Sequence, residues 1–494
     1  MSGEHGVGPE RPNILLVMAD QMRYDCLGAN GNPLIRTPNL DALAERSANL
    51  SSCFVQSPVC VPSRQTFFTG RYPHSHRNRV NYTPMPEGTV LMQRRLQEAG
   101  YRTGFVGKLH YYPPTREHAL ATGFSDGAIH DGGPCDEYSD YVAWLRDNFP
   151  SHASDYRRCR DDRANPFTAA IPDEAHETSW CGRESREMVR RLAAEPEPWF
   201  LFSSYWRPHS PFEVPQPWSS MYDDTQMPVP GWVGGEYLDS LPAPVRVQAR
   251  RGDAEWARAN RALWPWMYRA YYGAVSQIDR EVGLTLATLD DLGLSDSTIV
   301  VFCSDHGDQM LEHGLVDKNV FFESSVHVPL LINYPGTVTP GRRTDLVEST
   351  DLLPTLFELC RLPVPRECQG RSVARLITDG AIGSPYEKRQ FVCSENIIPE
   401  VITTGNLDYR HVKGHGVGGI RHPDAKMIRS DRWKYNHYVG NGEELYDLEA
   451  DPGELRNVAG DPAYAPVAAS MRDALLGWMI TADEPDQIAD RWLI

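Results

Sequence analysis

The stretch Asn13-Ile-Leu-Leu-Val-Met-Ala-Asp20 decides the fold of this chain. A continuous apolar run of this length predicts a β-strand that is covered on both faces, as the strands of a parallel sheet are. Apolar runs at 199–204, 298–303 and 329–333 predict further strands of the same kind. Helical patterns lie between these strands. We therefore expect an α/β fold in which a large, mostly parallel (mixed) sheet is sandwiched between helices.

The intervening segments contain the signals of helix starts and stops. Thr37 is expected to cap a helix that has Pro38 at its first position. A helix that begins at Tyr271 is expected to end at Gly293. A short strand is expected at 102–108, whereas the segment from about 128 to 270 shows no assignable period. The helices are expected at 38–46, 88–99, 271–292 and 351–362.

The pattern of apolar and turn-forming residues changes after about residue 375. The apolar runs at 391–394, 426–430, 433–438 and 444–448 are short, and Gly, Asp and Asn separate them. Such a pattern predicts a small antiparallel sheet, and a last helix is expected at 464–481. We therefore predict a catalytic domain at 1–375 and a smaller C-terminal α+β subdomain at 376–494.

The composition of the chain limits the classes of function that it can have. The 494 residues include 49 Lys and Arg against 66 Asp and Glu, which gives a net charge of −17 and argues against a nucleic-acid binder. The ten cysteines form no Cys-x-x-Cys pair, so we expect reduced thiols. The N-terminus does not resemble a signal peptide, and no apolar run reaches eighteen residues. A cytoplasmic location without membrane association is the expectation.

Polar residues follow the predicted strands, where the carboxyl edge of an α/β sheet binds ligands. Asp20 could be a hard ligand for a divalent cation or a cap of the next turn. Asp305 and His306 could complete that cation site or form a hydrogen-bonded turn. Cys60, close to a predicted helix N-terminus, could be a nucleophile or an inert thiol. Isolated Lys and His side chains in loops, such as Lys108 and His209, are usually only solvated.

The motifs together are more specific than any one of them. Cys60-Val-Pro-Ser-Arg64, followed by Thr69-Gly-Arg71, resembles the signature of the type I sulfatases, which belong to the alkaline-phosphatase superfamily. Gly107-Lys-Leu-His110, Pro208-His-Ser-Pro-Phe212 and the run from Ser304-Asp-His-Gly-Asp308 to Lys318 also match the pattern of that family. The segment 444–454 resembles its C-terminal signature.

The resemblance implies a sulfuric ester hydrolase that cleaves a small-molecule or glycan sulfate ester. A formylglycine-generating enzyme would contact the chain transiently and oxidise Cys60 to formylglycine, one hydroxyl of which attacks sulfur. Lys108 and Lys318 would neutralise the sulfate oxygens. One divalent cation would be held by Asp20, Gln21, Cys60, Asp305 and His306.

The resemblance assigns the remaining roles as follows. Lys318 and His209 would lie near the leaving-group oxygen, where one of them donates a proton. His110 would help to deprotonate the second hydroxyl, and Arg64 would hold the formylglycine end of the chain.

Two positions depart from the commonest pattern of the family. Gln21 and His306 stand where that pattern has Asp and Asn, and they resemble the choline-sulfatase and phosphonate monoester hydrolase branches. Their chemistry makes Mn²⁺ a second candidate for the bound cation, after Ca²⁺. Lys108 and His110 favour sulfate monoesters. The alternatives are a phosphonate monoester or phosphodiester hydrolase, and a non-catalytic anion-binding protein if Cys60 is unmodified. Assembly into a homo-oligomer is left open.

Overall fold

A computed structural model describes residues 11–159, 166–231, 233–397 and 424–482. Its strands form three sheets, the largest of which has eight strands. The strands are β1 (Asn13–Asp20), β2 (Ala48–Leu50), β3 (Cys53–Phe54), β4 (Arg102–Gly107), β5 (Asp126–Ile129), β6 (Trp199–Pro208), β7 (Thr298–Ser304), β8 (His327–Val328), β9 (Leu330–Asn333), β10 (Gly341–Arg343), β11 (Val347–Glu348), β12 (Val392–Ile397), β13 (Asp424–Arg429), β14 (Trp433–Tyr438) and β15 (Gly442–Asp447).

The eight-stranded sheet has the order β10-β2-β9-β7-β1-β6-β4-β5. The run β7-β1-β6-β4-β5 is parallel throughout, whereas β9 pairs antiparallel with both β7 and β2. The expected mostly parallel, mixed sheet is confirmed. Because β1, β4, β6 and β7 point the same way, the residues that follow them meet at one edge.

The central strand β1 is buried on both faces, as its apolar run predicts. Ile14, Leu16 and Met18 pack into one apolar core, while Leu15 and Val17 pack into a second core on the opposite face. The first core is closed by α2 (Cys60–Thr69), α4 (Met92–Glu98) and α13 (Leu352–Leu359), and the second by α1 (Pro38–Glu45), α7 (Glu177–Ala193) and α11 (Trp264–Asp291). Layers of helices on both sides of the sheet therefore hold its carboxyl edge in place.

The α-helices of the described residues are α1 (Pro38–Glu45), α2 (Cys60–Thr69), α3 (Pro73–His76), α4 (Met92–Glu98), α5 (Arg116–Ala121), α6 (Asp140–Asn148), α7 (Glu177–Ala193), α8 (Gly235–Ser240), α9 (Ala243–Ala249), α10 (Gly252–Ala259), α11 (Trp264–Asp291), α12 (Glu323–Val326), α13 (Leu352–Leu359), α14 (Ala374–Ile377) and α15 (Ala465–Thr481). Within those residues, no helix is both long and apolar enough to cross a bilayer. The described part of the chain contains all ten cysteines, and none of them is paired, as expected.

Several expected boundaries are wrong. The start of α1 is correct, with Thr37 at the N-cap position and Pro38 first in the helix, but the Thr37 side chain makes no cap hydrogen bond, because its hydroxyl accepts from the Gly28 N–H and bonds to Asp41. α4 begins at Met92 rather than residue 88, and α13 ends at Leu359 rather than residue 362. α11 begins at Trp264, seven residues before the expected start, because Pro265 is well placed in a first helical turn.

The C-terminal sheet has the predicted antiparallel pairing, in the order β12-β13-β14-β15, and α15 packs on it. Its first strand is tied to the rest of the molecule, since the Glu395 N–H donates to the Gln56 carbonyl and Asn396 donates to the Asn319 carbonyl. The predicted division at residue 375 stays a prediction.

Candidate active site

Four parallel strands deliver polar residues to one edge of the large sheet. Asp20 ends β1, Lys108 follows β4, His209 follows β6 and Asp305 follows β7. Asp20 and Asp305 are fully buried, and Lys108 is nearly so. The predicted convergence of these motifs is confirmed by the parallel direction of the strands.

Cys60 is the first residue of α2. Val59 before it is extended, and Gly70 ends the helix in the left-handed conformation, as the sequence predicts. Every residue of α2 is buried, so the helix N-terminus points into the sheet edge rather than into solvent. The dipole of a helix start favours negative charge at this place.

A divalent cation fits between the strand ends. Asp20, Cys60, Asp305 and His306 each offer one ligand atom, and these atoms lie within 4.8 Å of one another. Asp20 Oδ1 is buried and has no hydrogen-bond partner among the described residues. The His306 Nδ1–H donates to the Gly307 carbonyl at 3.0 Å, so Nε2 is the ring nitrogen that faces the cluster, 3.2 Å from Cys60 Sγ. An orphaned carboxylate oxygen beside an imidazole nitrogen that faces the same space fits a metal site.

Arg64 orders the two carboxylates of this site. We call Arg64, Asp20 and Asp305 the Arg64 cluster. The guanidinium donates to Asp305 Oδ2 at 2.8 Å and to Asp20 Oδ2 at 3.3 Å, and Lys108 Nζ contacts the same Asp20 oxygen. Burial alone would raise the pKa of Asp20, but Lys108 and Arg64 hold it well below its usual range. Asp20 Oδ1 is thereby left for the cation, whereas Asp305 Oδ1 also accepts from the N–H groups of Gln21 and His306. The predicted role of Arg64 at the formylglycine stays a prediction.

The Cys60 side chain lies in a strongly cationic environment. Burial opposes its ionisation, but the charges of Lys108 and Lys318 lower the pKa of the thiol well below its usual value. His306 and a hydrogen bond from His110 act in the same direction. An anionic group at this position is therefore stabilised, and sulfate oxygens would be stabilised in the same way.

Asp131 positions the loop that carries His110. The carboxylate of Asp131 accepts from the N–H groups of Leu109 and His110 at 2.8 and 3.0 Å. His110 has a φ of 59°, a left-handed conformation that needs such support. Burial lowers the pKa of His110, so the imidazole is neutral near pH 7 and can accept a proton.

Lys318 and His209 form a pair whose proton can be assigned. The His209 Nδ1–H donates to the Ser210 carbonyl at 2.6 Å, which makes Nε2 an acceptor. Lys318 Nζ lies 2.8 Å from that Nε2. Burial disfavours the charge on Lys318, but Asp317 raises the pKa of Lys318 well above its usual value. Of the two candidate proton donors, Lys318 is the one that holds the proton in this arrangement.

The structure brings every predicted site residue to this edge, and their individual roles stay predictions. It also adds residues that the sequence did not single out as functional: Asp131, Ser204, Tyr271, Asp308 and Asp317. Ser204 accepts from Arg64, and the Tyr271 hydroxyl donates to the Gln21 carbonyl. The only signal for Asp308 and Asp317 was their place in the run that contains His306 and Lys318.

Comparisons with known proteins agree with this geometry. The sulfatase family model matches residues 12–362. An arylsulfatase of Clostridium perfringens is 31% identical, over 92% of this chain and 91% of the relative. A choline-sulfatase of Rhizobium meliloti is 29% identical over 92% of this chain and 83% of its own length. The crystal structure of the phosphonate monoester hydrolase of Agrobacterium radiobacter has a TM-score of 0.80 at 25% identity, with 96% of each chain covered.

Proposed function

Because the chain belongs to the sulfatase family and hydrolyses sulfuric esters, we propose that its nucleophile is Cys60 oxidised to formylglycine, beside one divalent cation. One observation carries the proposal. Cys60 Sγ is buried at the start of α2 and lies 3.2 Å from His306 Nε2, a member of the cluster that fits a cation. A nucleophile at that position would face both the cation and the ammonium groups that neutralise sulfate oxygens.

Asp20, Gln21, Asp305 and His306 would hold the cation. Three oxygen ligands and one imidazole suit Ca²⁺ first, and the imidazole also admits Mn²⁺. Bound there, a divalent ion would acidify a hydroxyl of the nucleophile and polarise the ester. Metal analysis of the purified protein, with Ca²⁺ and Mn²⁺ measured against chelator-treated samples, identifies the ion.

The remaining side chains would act on charge and protons. Lys108 and Lys318 would bind the sulfate oxygens as point charges, since both ammonium groups face the buried edge. Lys318 would give its proton to the leaving-group oxygen, and His209 would orient it through the 2.8 Å contact. His110, neutral near pH 7, would accept the proton whose loss lets sulfate leave.

A second candidate function is hydrolysis of phosphonate monoesters or phosphodiesters. The likeness to the phosphonate monoester hydrolase supports it, and so does the pair Gln21 and His306. The pair Lys108 and His110 supports sulfate. We therefore propose small-molecule or glycan sulfate esters as the main substrates. Turnover of aryl sulfate, choline sulfate, sugar sulfates and phenyl phosphonate should be fastest for one of the sulfates, and faster turnover of the phosphonate would reverse this ranking.

Mass spectrometry of the peptide that contains Cys60 tests the nucleophile. Protein made together with a formylglycine-generating enzyme should show one sulfur replaced by oxygen and two hydrogens lost. Cys60→Ala is the matched control, and it should fold but turn over ester at least about 10⁴-fold more slowly. A free thiol at Cys60 in active protein would refute the proposal, and a free thiol in inactive protein would favour an anion-binding role.

A cytoplasmic location, the transient contact with the generating enzyme and assembly into a homo-oligomer stay predictions. Gel filtration with light scattering checks the last of them. Co-purification of a Cys60→Ala variant with the generating enzyme checks the second.

A further inference from the structure

Gln21 has a backbone conformation that its neighbours must maintain. The residue is buried and has a φ of 67°, in the left-handed region that costs a non-glycine residue on the order of 1 kcal/mol or more. Its N–H donates to Asp305 Oδ1 at 3.0 Å, and its carbonyl accepts from the Tyr271 hydroxyl at 2.6 Å. The next N–H, of Met22, donates to Ser304 Oγ at 2.9 Å. The direction in which the Gln21 side chain leaves β1 is therefore fixed by β7 and α11.

The side-chain amide of Gln21 has two different ends. The oxygen accepts hydrogen bonds or binds a cation, whereas the NH₂ group can only donate, and a half-turn about the last bond exchanges them. Lys318 Nζ lies 2.5 Å from the oxygen, and the NH₂ group donates to Asp308 Oδ2. The other Asp308 oxygen accepts from the Met310 N–H at 2.7 Å, which holds that carboxylate in place.

These contacts assign a role to Asp308. We propose that Asp308 is a positioning residue that keeps the Gln21 amide oxygen turned toward the cation, an inference that rests on the proposed function. Lys318 can hold the oxygen end only while it is not engaged with substrate. Asp308, which is buried and anchored by the Met310 N–H, would hold the NH₂ end throughout the cycle.

The contact between Gln21 and Asp308 explains why position 21 has an amide rather than a carboxylate. A carboxylate there would face the carboxylate of Asp308, and two like charges at hydrogen-bond distance repel. The amide supplies an oxygen to the cation and a donor to Asp308. The negative charge is thereby moved from the first layer of ligands to the layer behind it, where Asp308 is completely buried.

Reciprocal substitution tests the pair. In Asp308→Asn, the new NH₂ group can face Gln21 and turn the amide, so its NH₂ end would point at the cation. In Gln21→Glu, two carboxylates would meet. In the double variant, the amide introduced at position 308 could donate to the carboxylate introduced at position 21 and restore an oxygen at the cation. We expect each single variant to bind Ca²⁺ about 10- to 100-fold more weakly by calorimetry, and the double variant to come within about threefold of the wild type.

The controls separate this role from a merely structural one. Gln309→Asn changes the buried neighbour that bonds to Ser325 and should leave Ca²⁺ affinity unchanged. The single variants should lose kcat as well as affinity, whereas a structural role would lower only the melting temperature of the metal-free protein. The proposal is overturned if Asp308→Asn binds Ca²⁺ as the wild type does, or if the double variant is no better than both singles. If Asp308→Asn fails to fold, Gln21→Glu and the double variant still decide the matter.

The experiment distinguishes failure of the role proposed for Asp308 from failure of the proposed function. Calorimetry of the chelator-stripped chain does not depend on turnover, and wild type and variants compared with Cys60 in the same oxidation state differ only at positions 21 and 308. Wild-type protein that binds neither Ca²⁺ nor Mn²⁺ would overturn both proposals. Wild-type protein that binds the ion, with Asp308→Asn unaffected, would overturn the role of Asp308 alone.

Discussion

Arg64 and Arg389 each bridge two buried carboxylates, one pair at the edge of the large sheet and the other beside β12. In the Arg389 cluster, which comprises Arg389, Glu348 and Asp351, the guanidinium donates to Glu348 at 2.8 Å and to both Asp351 oxygens at 2.6 and 2.8 Å. Every carboxylate oxygen of this cluster has a donor. The other donors are the Tyr72 hydroxyl and the backbone N–H groups of Glu348, Arg371 and Cys393.

The Arg64 cluster is built from the same groups but is left incomplete. Asp20 Oδ1 is buried without a donor in the described chain, while its Oδ2 receives both Arg64 and Lys108. A buried polar atom without a partner costs on the order of 1–3 kcal/mol, so its presence calls for a ligand. The comparison teaches that the two clusters differ in one respect: all carboxylate oxygens of the Arg389 cluster have donors, whereas the open oxygen of the Arg64 cluster lies where the cation is proposed to bind.

Replacing Arg64 and Arg389 in turn should give the largest difference between the two clusters, one variant losing turnover and the other losing stability. Arg64→Met leaves Asp20 and Asp305 without their shared cation, so we expect turnover to fall by at least about 10³-fold. Arg389→Met leaves two buried carboxylates unpaired and should lower the free energy of unfolding by about 3–5 kcal/mol. Turnover per folded molecule of that variant should change less than about threefold. Ester hydrolysis and urea denaturation measure both quantities.

Added Ca²⁺ should affect the stability of the two arginine variants differently. It should restore part of the stability of Arg64→Met, because the bare carboxylates can take a cation, and it should not restore Arg389→Met. The comparison fails if the two variants lose turnover equally, or if Ca²⁺ stabilises both to the same extent.

Neutralising one carboxylate in each cluster should give a difference of intermediate size, which is seen in how much Ca²⁺ raises the melting temperature. Ca²⁺ at about 100 times its dissociation constant should stabilise the wild type by about 2.7 kcal/mol, which appears as a higher melting temperature. Asp20→Asn should lose most of this shift because it loses a ligand. Asp351→Asn should keep the shift while melting at a lower temperature throughout. A calcium-dependent shift that survives Asp20→Asn would place the ion elsewhere.

The smallest effect on turnover is expected at a third group of buried charges, on the C-terminal side, which makes stability depend on pH. Lys434 Nζ lies 2.6 Å from Glu323 and 2.7 Å from Glu454. Burial, with the charge of Glu323, raises the pKa of Glu454 from 4.5 to about 7. The folded protein therefore binds a proton there that the unfolded chain releases above pH 4.5. Stability should fall as pH rises from about 4.5 to 7, by at most about 1.4 kcal/mol per pH unit.

Glu454→Gln tests this dependence, since its amide cannot titrate. Urea denaturation at pH 5 and pH 7 should give closer free energies of unfolding for the variant than for the wild type. Turnover should stay the same. An unchanged pH dependence in the variant would assign the titration to another group.

Much of the Arg64 cluster could be predicted from the sequence, because strands and motifs mark it. Asp20 directly follows an apolar run, and Cys60 and Arg64 lie in one contiguous signature. The Arg389 cluster has no such signal. Glu348 and Asp351 lie three residues apart, but Arg389 lies 41 and 38 residues beyond them, and only tertiary contacts such as the hydrogen bond from the Cys393 N–H to Glu348 hold this part of the chain beside them.

The missed elements have physical reasons as well. α7 was not predicted because most of its residues are polar, and even its buried face includes small and polar residues such as Cys181, Gly182 and Ser185. Asp308 and Tyr271 act through hydrogen bonds across the fold, which no local pattern encodes. The side-chain cap expected of Thr37 does not form because a tertiary partner, Gly28, takes its hydroxyl.

The most direct test of this account is anomalous diffraction from crystals in which Mn²⁺ replaces the native ion. The open oxygen of the Arg64 cluster predicts a single strong peak about 2.0–2.6 Å from Asp20 Oδ1, Gln21 Oε1, Asp305 Oδ1 and His306 Nε2. No comparable peak should appear at the Arg389 cluster. Crystals with saturating Mn²⁺ and no peak between Asp20 and His306 would contradict the central claim.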